Sequence, residues 1–385
     1  MEDILSQGGD REPSPWPRRL AVLAALIVVA GAGIFYLSRP HQGHASAAPA
    51  TASPAPSGPS GISGPTLPWA ASLRLPITGK QPLWFSPASG NSEPIGGLPD
   101  VSSGYQFIRT VGGWAVQSNA AGSLECSSCS KPSMPVWFLA DGARSATPVG
   151  TATLVAPSAT AGAVWLTSYS PGVSMIAAAG TAREVNSTGA LLHPQVKLPT
   201  GYIIDQATDR GLLLAPANQQ QGAPVDRLWN PAAPRDRRTF TGVIAASPTE
   251  IAWTSPCAST CRIQVLDLDT GRQTAVALPV ASSVASAAFS PSGAFLALQV
   301  NSGSTQDAVQ IEVASVASGR LTAMPGTFVS TNALVGYGWP SSGDSLVAEF
   351  IFTTKAQVAS WQPGATSPAV SVIRPGNTEA SLILG

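Results

Sequence analysis

The hydrophobic pattern of the 385-residue chain changes twice. Residues 20–37, LAVLAALIVVAGAGIFYL, form an 18-residue run without a charge. Residues 38–68 have no apolar period; Pro, Ala, Ser and Gly dominate, and Arg39 is the one charge. From residue 69 onward the pattern becomes short apolar runs rich in Val, Ile, Leu and Trp, each ended by Gly, Pro, Ser or Asp. Runs of this length and punctuation predict strands joined by tight turns, and no stretch has the apolar spacing of an amphipathic helix.

Two kinds of predicted hairpin alternate. The clearest of the first kind is AAFSPSGAFLALQV, Ala287–Val300, with copies starting at Ile108, Ser158, Asp205, Ile244 and Tyr337. Their turn markers (Gly113, Gly162, Gly211, Glu250, Gly293 and Gly343) recur at intervals of 39 to 50 residues. The clearest of the second kind is Ile263–Pro279, whose turn Asp269-Thr270-Gly271 uses Gly to reach positive φ. Six more second hairpins start at Leu83, Val136, Arg183, Asp226, Ile311 and Gln357. A four-stranded unit repeating at about 40–50 residues is a propeller blade, and each blade relies on its neighbours to cover its two faces. The fold class expected is therefore all-β, a β-propeller with seven blades, six and eight being the alternatives. The unit at Leu83–Pro99 has only a second hairpin. The C-terminal TEASLILG, from Thr378, would supply its inner strand or strands and so close the ring; a strand within Trp69–Thr78 is the alternative occupant.

The segment Phe289–Leu298, FSPSGAFLAL, resembles the S-P-D-G-x-x-(L/I)-A-(F/V) repeat of TolB-like propellers, with Ser292 in the Asp place. Ser247-Pro248 and Pro340-Ser341-Ser342-Gly343 are fainter copies, and the Trp-Asp dipeptide that marks standard WD-repeat proteins is absent. The resemblance implies an extracytoplasmic binding scaffold. It transfers no site residues, because that motif is structural.

The apolar run is just long enough to cross a bilayer as a helix. Arg11, Arg18 and Arg19 precede it and only Arg39 follows closely, so the positive-inside rule orients it. The expected organisation is a cytoplasmic tail at 1–19, a transmembrane signal anchor at 20–37, a disordered linker at 38–68 and an extracytoplasmic propeller at 69–385. This describes a single-pass cell-membrane protein with its N-terminus in the cytoplasm. A signal peptide cleaved near Ala45-Ser46-Ala47 is the competing reading. Outside the membrane thiols oxidise. The four cysteines fall in two local pairs, each between the two hairpins of a blade. The blades concerned are too far apart around a ring for cross-pairing. Disulfides Cys126–Cys129 and Cys257–Cys261 are expected.

Composition narrows function by exclusion. Lys+Arg and Asp+Glu are both 21, so the chain is formally neutral, and residues 69–385 balance by themselves. That argues against nucleic acid, which demands a basic surface. Only 11% of residues are charged and there are 3 His, of which His193 alone lies beyond residue 68. A Ser-His-Asp triad would have to use His193, which sits before Pro194 in a turn. No phosphate loop or metal-ligand spacing occurs, so no catalytic residue, cofactor or metal is expected. Arg235-Asp236-Arg237-Arg238 reads as a solvated hairpin tip, and the tryptophans within strands (Trp84, Trp114, Trp137, Trp165, Trp253 and Trp339) read as packing between blades. The expectation is a non-catalytic scaffold or sensor that binds an envelope protein or glycan. The competing class is a propeller enzyme, a glycan lyase or hydrolase, with Asp205, Asp209, Arg210 and Glu250 as its candidates.

Overall fold

The computed structural model describes residues 68–373 except 71–72, 78–80, 102–103, 120–132, 171–178, 218–224, 235–236, 256–260, 281, 303–308, 326–333, 341–342 and 353–354. Every described strand belongs to one of seven antiparallel sheets, each a simple meander in chain order. Blade 1 has three strands, Leu75–Ile77, Leu83–Ser86 and Asn91–Pro94. The other six blades have four strands each. Their first strands are Tyr105–Thr110, Leu154–Pro157, Tyr202–Thr208, Val243–Ala246, Ser282–Phe289 and Leu334–Gly338. All six first hairpins and all seven second hairpins read from the sequence are present. First strands of successive blades touch one another, as in blades 2 and 3, 3 and 4, and 5 and 6. They therefore converge on the axis, and the fourth strands lie at the periphery.

The driving force for the ring is the period-two alternation of each strand, which turns successive side chains to opposite faces. In the third strand of blade 7, Lys355–Trp361, Val358 packs toward blade 1, whereas Ala359 and Trp361 pack toward blade 6. Each face thus meets the next blade, and the buried residues sort into seven clusters, one per seam. Trp84, Trp114 and Trp137 fill the seam between blades 1 and 2, and Phe138 and Leu166 the next. Trp165, Leu214 and Trp229 join blades 3 and 4; Leu213, Phe240 and Ile251 join blades 4 and 5. Val265 and Leu298 join blades 5 and 6; Phe350, Trp339 and Trp361 join blades 6 and 7. Leu75 and Phe85 meet Val347 and Val358 where blade 7 returns to blade 1. The molecule is a closed seven-bladed β-propeller.

Blade 1 answers the question of its missing strand in part. Leu75–Ile77 pairs with Leu83–Ser86 and occupies the second place from the axis. The Trp69–Thr78 segment therefore supplies one strand, and no described residue fills the innermost place. The C-terminal candidate, 378–385, lies outside the described residues. So do the tail, the apolar run 20–37, the linker up to residue 67, Cys126, Cys129 and Cys257.

Four consecutive first strands carry a β-bulge that leaves one residue unpaired: Asp205, Ile244, Ala285 and Val335 in blades 4 to 7. Bulges add local twist, and here they recur where the strands crowd the axis. Asp205 is the one charged residue among the four.

Candidate functional site

The residues proposed for a propeller enzyme do not converge. Glu250, at the start of the second strand of blade 5, is buried and accepts a hydrogen bond from Ser247 Oγ in its own turn. Its carboxylate lies against Gly293, in the first turn of blade 6. A Cβ on Gly293 would come within 2.4 Å of Glu250 Oε1, and Gly293 has φ +72°. Glu250 is thus a clasp between two blades. Arg210 is exposed at the turn of blade 4 and reaches Asp269 of blade 5 across 3.4 Å. The neighbouring Asp209 holds the turn of blade 5 through its backbone N–H, which donates to Pro248 O at 2.8 Å. Asp205 stands apart on the innermost strand of blade 4, in contact with solvent but hemmed in by the ring, and burial raises its carboxyl above the ordinary value. Its charge adds to burial in pushing Asp226, on the third strand, up to about 6, while the backbone N–H of Val243 pulls the other way.

His193 meets a serine and a carboxylate in the wrong order for nucleophilic catalysis. Its Nε2 is 3.4 Å from Glu184 Oε2, and the other oxygen of Glu184 accepts the Ser158 Oγ hydrogen bond. The imidazole must stand between hydroxyl and carboxylate to take the hydroxyl proton. Here the carboxylate stands in the middle, and Ser158 is fully buried. Ser158, Ser247 and Ser290 hold equivalent places in three first turns, each accepting backbone N–H bonds two to five residues on. They are turn-forming hydroxyls. Among the described residues, no three His, Cys, Asp or Glu side chains gather as a metal site would require.

A cavity of about 510 Å³ opens at the seam between blades 7 and 1. Its wall begins with the segment leading into blade 1. Leu73 N–H donates to Ala70 O at 3.1 Å, a turn that lays Trp69 and Leu73 over the seam cluster. Trp69 is half-buried, and its indole N–H is buried without a hydrogen-bond partner. Such groups are rarely left unpaired. Arg74 pairs with Glu93, and Asp141 pairs with Arg109, Nη2 to Oδ2 at 2.8 Å, so both charges of the cleft are already compensated. The lining also includes Ser345, Ser360 and exposed Gln362 from blade 7, beside Trp84, Gly142 and Gly343. An aromatic wall, an unsatisfied donor, hydroxyls and an amide make a surface for an uncharged polar group. Trp69 was not singled out from the sequence; its one signal is that it is the first aromatic after the Pro-rich segment.

Of the strand tryptophans, Trp84, Trp114, Trp137, Trp165 and Trp339 are buried in seams, Trp253 is half-buried against Phe240 at the seam of blades 4 and 5, and Trp229 and Trp361 are buried as well. Cys261 is half-buried just before the third strand of blade 5, and no described cysteine is free. Of the basic run, Arg235 and Asp236 lie outside the described residues, and Arg238 lies over the Phe240 ring at 5.4 Å.

No protein-family model and no curated protein matches the chain. Solved structures do match it. Prolyl oligopeptidase B from Galerina marginata shares 8% identity at a TM-score of 0.51, covering 78% of this chain and 48% of that one. The β-propeller domain of the Trilobed protease from Pyrococcus furiosus shares 8% at 0.47, covering 75% and 85%. TolB from Acinetobacter baumannii shares 13% at 0.38, covering 66% and 64%. The chain thus spans about half the length of the Galerina enzyme and less than two thirds of TolB. At such identities the likeness to the Galerina protein concerns the propeller fold alone.

Proposed function

We propose that this propeller is a non-catalytic binding scaffold, held outside the cell membrane by the apolar run at 20–37 and raised on the Pro-rich linker. It engages an envelope protein or glycan through the cleft between blades 7 and 1. The observation that carries the reading is the Trp69 indole N–H, buried at that cleft with no acceptor. A peptide carbonyl or a sugar hydroxyl supplies one, and indole rings suit both kinds of ligand. The compensated pairs Arg74–Glu93 and Arg109–Asp141 favour an uncharged group there. The enzyme reading draws no support from Asp205, Asp209, Arg210 and Glu250, which are spread over separate structural roles.

The test compares the full-length protein with Trp69→Phe and Asp205→Asn on glycan fragments and peptides of the host envelope. Phenylalanine keeps the ring and removes the N–H donor. The expected result is saturable binding that weakens at least tenfold in Trp69→Phe, with no turnover. Turnover of an envelope glycan that Asp205→Asn abolishes would overturn the scaffold reading.

A further inference from the structure

A second cavity, about 390 Å³, lies between blades 3 and 4, remote in the ring from the cleft just described. Two cations reach it from opposite sides. Lys197 ends the short fourth strand of blade 3, Val196–Lys197, and is exposed. Arg227 sits in the third strand of blade 4, Val225–Trp229, and is half-buried. Its guanidinium lies over the Tyr202 ring, 4.3 Å from the centroid. The ring is a flat support that orients the fork of N–H donors without neutralising it. Leu214 and Trp229 line the same cavity and belong to the seam cluster. The crossover Leu198-Pro199-Thr200 forms another wall.

Neither cation has a counter-ion among the described residues: the ion pairs there involve Arg74, Arg109, His193 and Arg210. Two acids of these blades, Glu184 and Asp226, are turned elsewhere, and Asp205 acts on Asp226. Glu184 is buried against Ser158 and His193. Asp226 precedes Arg227 in one strand, so its side chain leaves the opposite face, toward the backbone N–H of Val243. Two cations without an ion pair among the described residues meet at one partly apolar groove.

We propose that this groove binds a phosphate group. A phosphate carries a charge of about −1.5 to −2 near neutral pH, matching the two cations, and its oxygens accept two parallel bonds from a guanidinium. Arg227 is the orienting partner, Lys197 supplies the second charge, and the Tyr202 ring keeps the guanidinium in place.

The experiment is calorimetric titration of the full-length protein with inorganic phosphate at fixed ionic strength, with chloride as the reference anion. Variants are Arg227→Gln, Arg227→Lys, Lys197→Gln and, at a remote exposed cation, Arg320→Gln. Binding should be saturable with phosphate and absent with chloride. It should weaken at least tenfold in Arg227→Gln and Lys197→Gln, weaken less in Arg227→Lys, and be unchanged in Arg320→Gln. Thermal melts of each variant separate loss of binding from loss of folding. Parallel titrations with a sugar phosphate and a phosphoserine peptide identify the source: tighter binding than free phosphate assigns the group to that carrier. Equal affinity of the wild type and the two Gln variants, or tighter binding of a Glu-rich peptide than of any phosphate, would overturn the proposal.

Discussion

Blade 7 has two faces, and they are built differently. Toward blade 6 it presents Trp339, Trp361, Phe350 and Tyr337 to Ile311 and Val313. That seam also has polar fastenings: Trp339 Nε1–H donates to Ala288 O at 3.0 Å, and Ser292 Oγ donates to Asp344 Oδ2 at 2.7 Å. Toward blade 1 it presents Val347 and Val358 to a three-stranded sheet, and the described cross-seam hydrogen bond, Ser371 Oγ to Pro87 O, is long at 3.5 Å. The cleft that Trp69 lines opens at this second seam. The same repeat therefore gives two kinds of seam: an aromatic, fastened one toward blade 6, and a lighter one toward blade 1, with its three described strands, that opens into a cleft.

Two residues of one strand, Val358 and Trp361, probe the two faces separately. Trp361→Ala, on the blade 6 face, is expected to cost about 3–5 kcal/mol in denaturant unfolding, through a cavity and the loss of the indole bond to Ala365 O. Val358→Ala, three residues away on the blade 1 face, removes far less buried area and is expected to cost about 1–3 kcal/mol. If the second change costs as much as the first, the two seams are equally stabilised and the contrast fails. Between them falls Gly293→Ala, which meets both the positive φ and the Glu250 carboxylate; a loss of about 2–3 kcal/mol is expected, partly restored by Glu250→Ala.

A fourth prediction concerns pH. Asp226 is pushed up to about 6 from 3.8, so between those values the folded protein holds a proton that the unfolded chain has released. Stability from this group is full below pH ~4 and falls as pH rises through ~6. Asp226→Asn should melt like the wild type near pH 4 and be more stable near pH 7, by about 1–3 kcal/mol. The smallest expected effect on stability is that of Trp69→Phe, under about 1 kcal/mol for a half-buried ring exchange, although its effect on binding is large.

The blades were legible because a hairpin is a local object. Asp269-Thr270-Gly271 and Ser290-Pro291-Ser292-Gly293 announce their turns within four residues, and the flanking alternation names the buried faces. Contacts between blades are not local, and apart from the strand tryptophans the pattern does not name their partners. Glu250 reads as a candidate acid until the turn of blade 6 is brought against it. Lys197 and Arg227 are thirty residues apart in sequence and share one groove only because blades 3 and 4 are adjacent. Arg238, at the end of the basic run, pairs across the strands with Leu228, so it shares the face opposite Arg227. Trp69 gains meaning only from the seam it covers.

The most direct measurement is site-specific photo-crosslinking in the native cell. A photo-reactive residue at Gln362, in the cleft, is compared with one at Val280, which is 81% exposed in the connection between blades 5 and 6. One discrete crosslinked product is expected from Gln362, lost in the Trp69→Phe background, and none from Val280. Equal labelling from both positions, unaffected by Trp69→Phe, would rule out the cleft as the docking site.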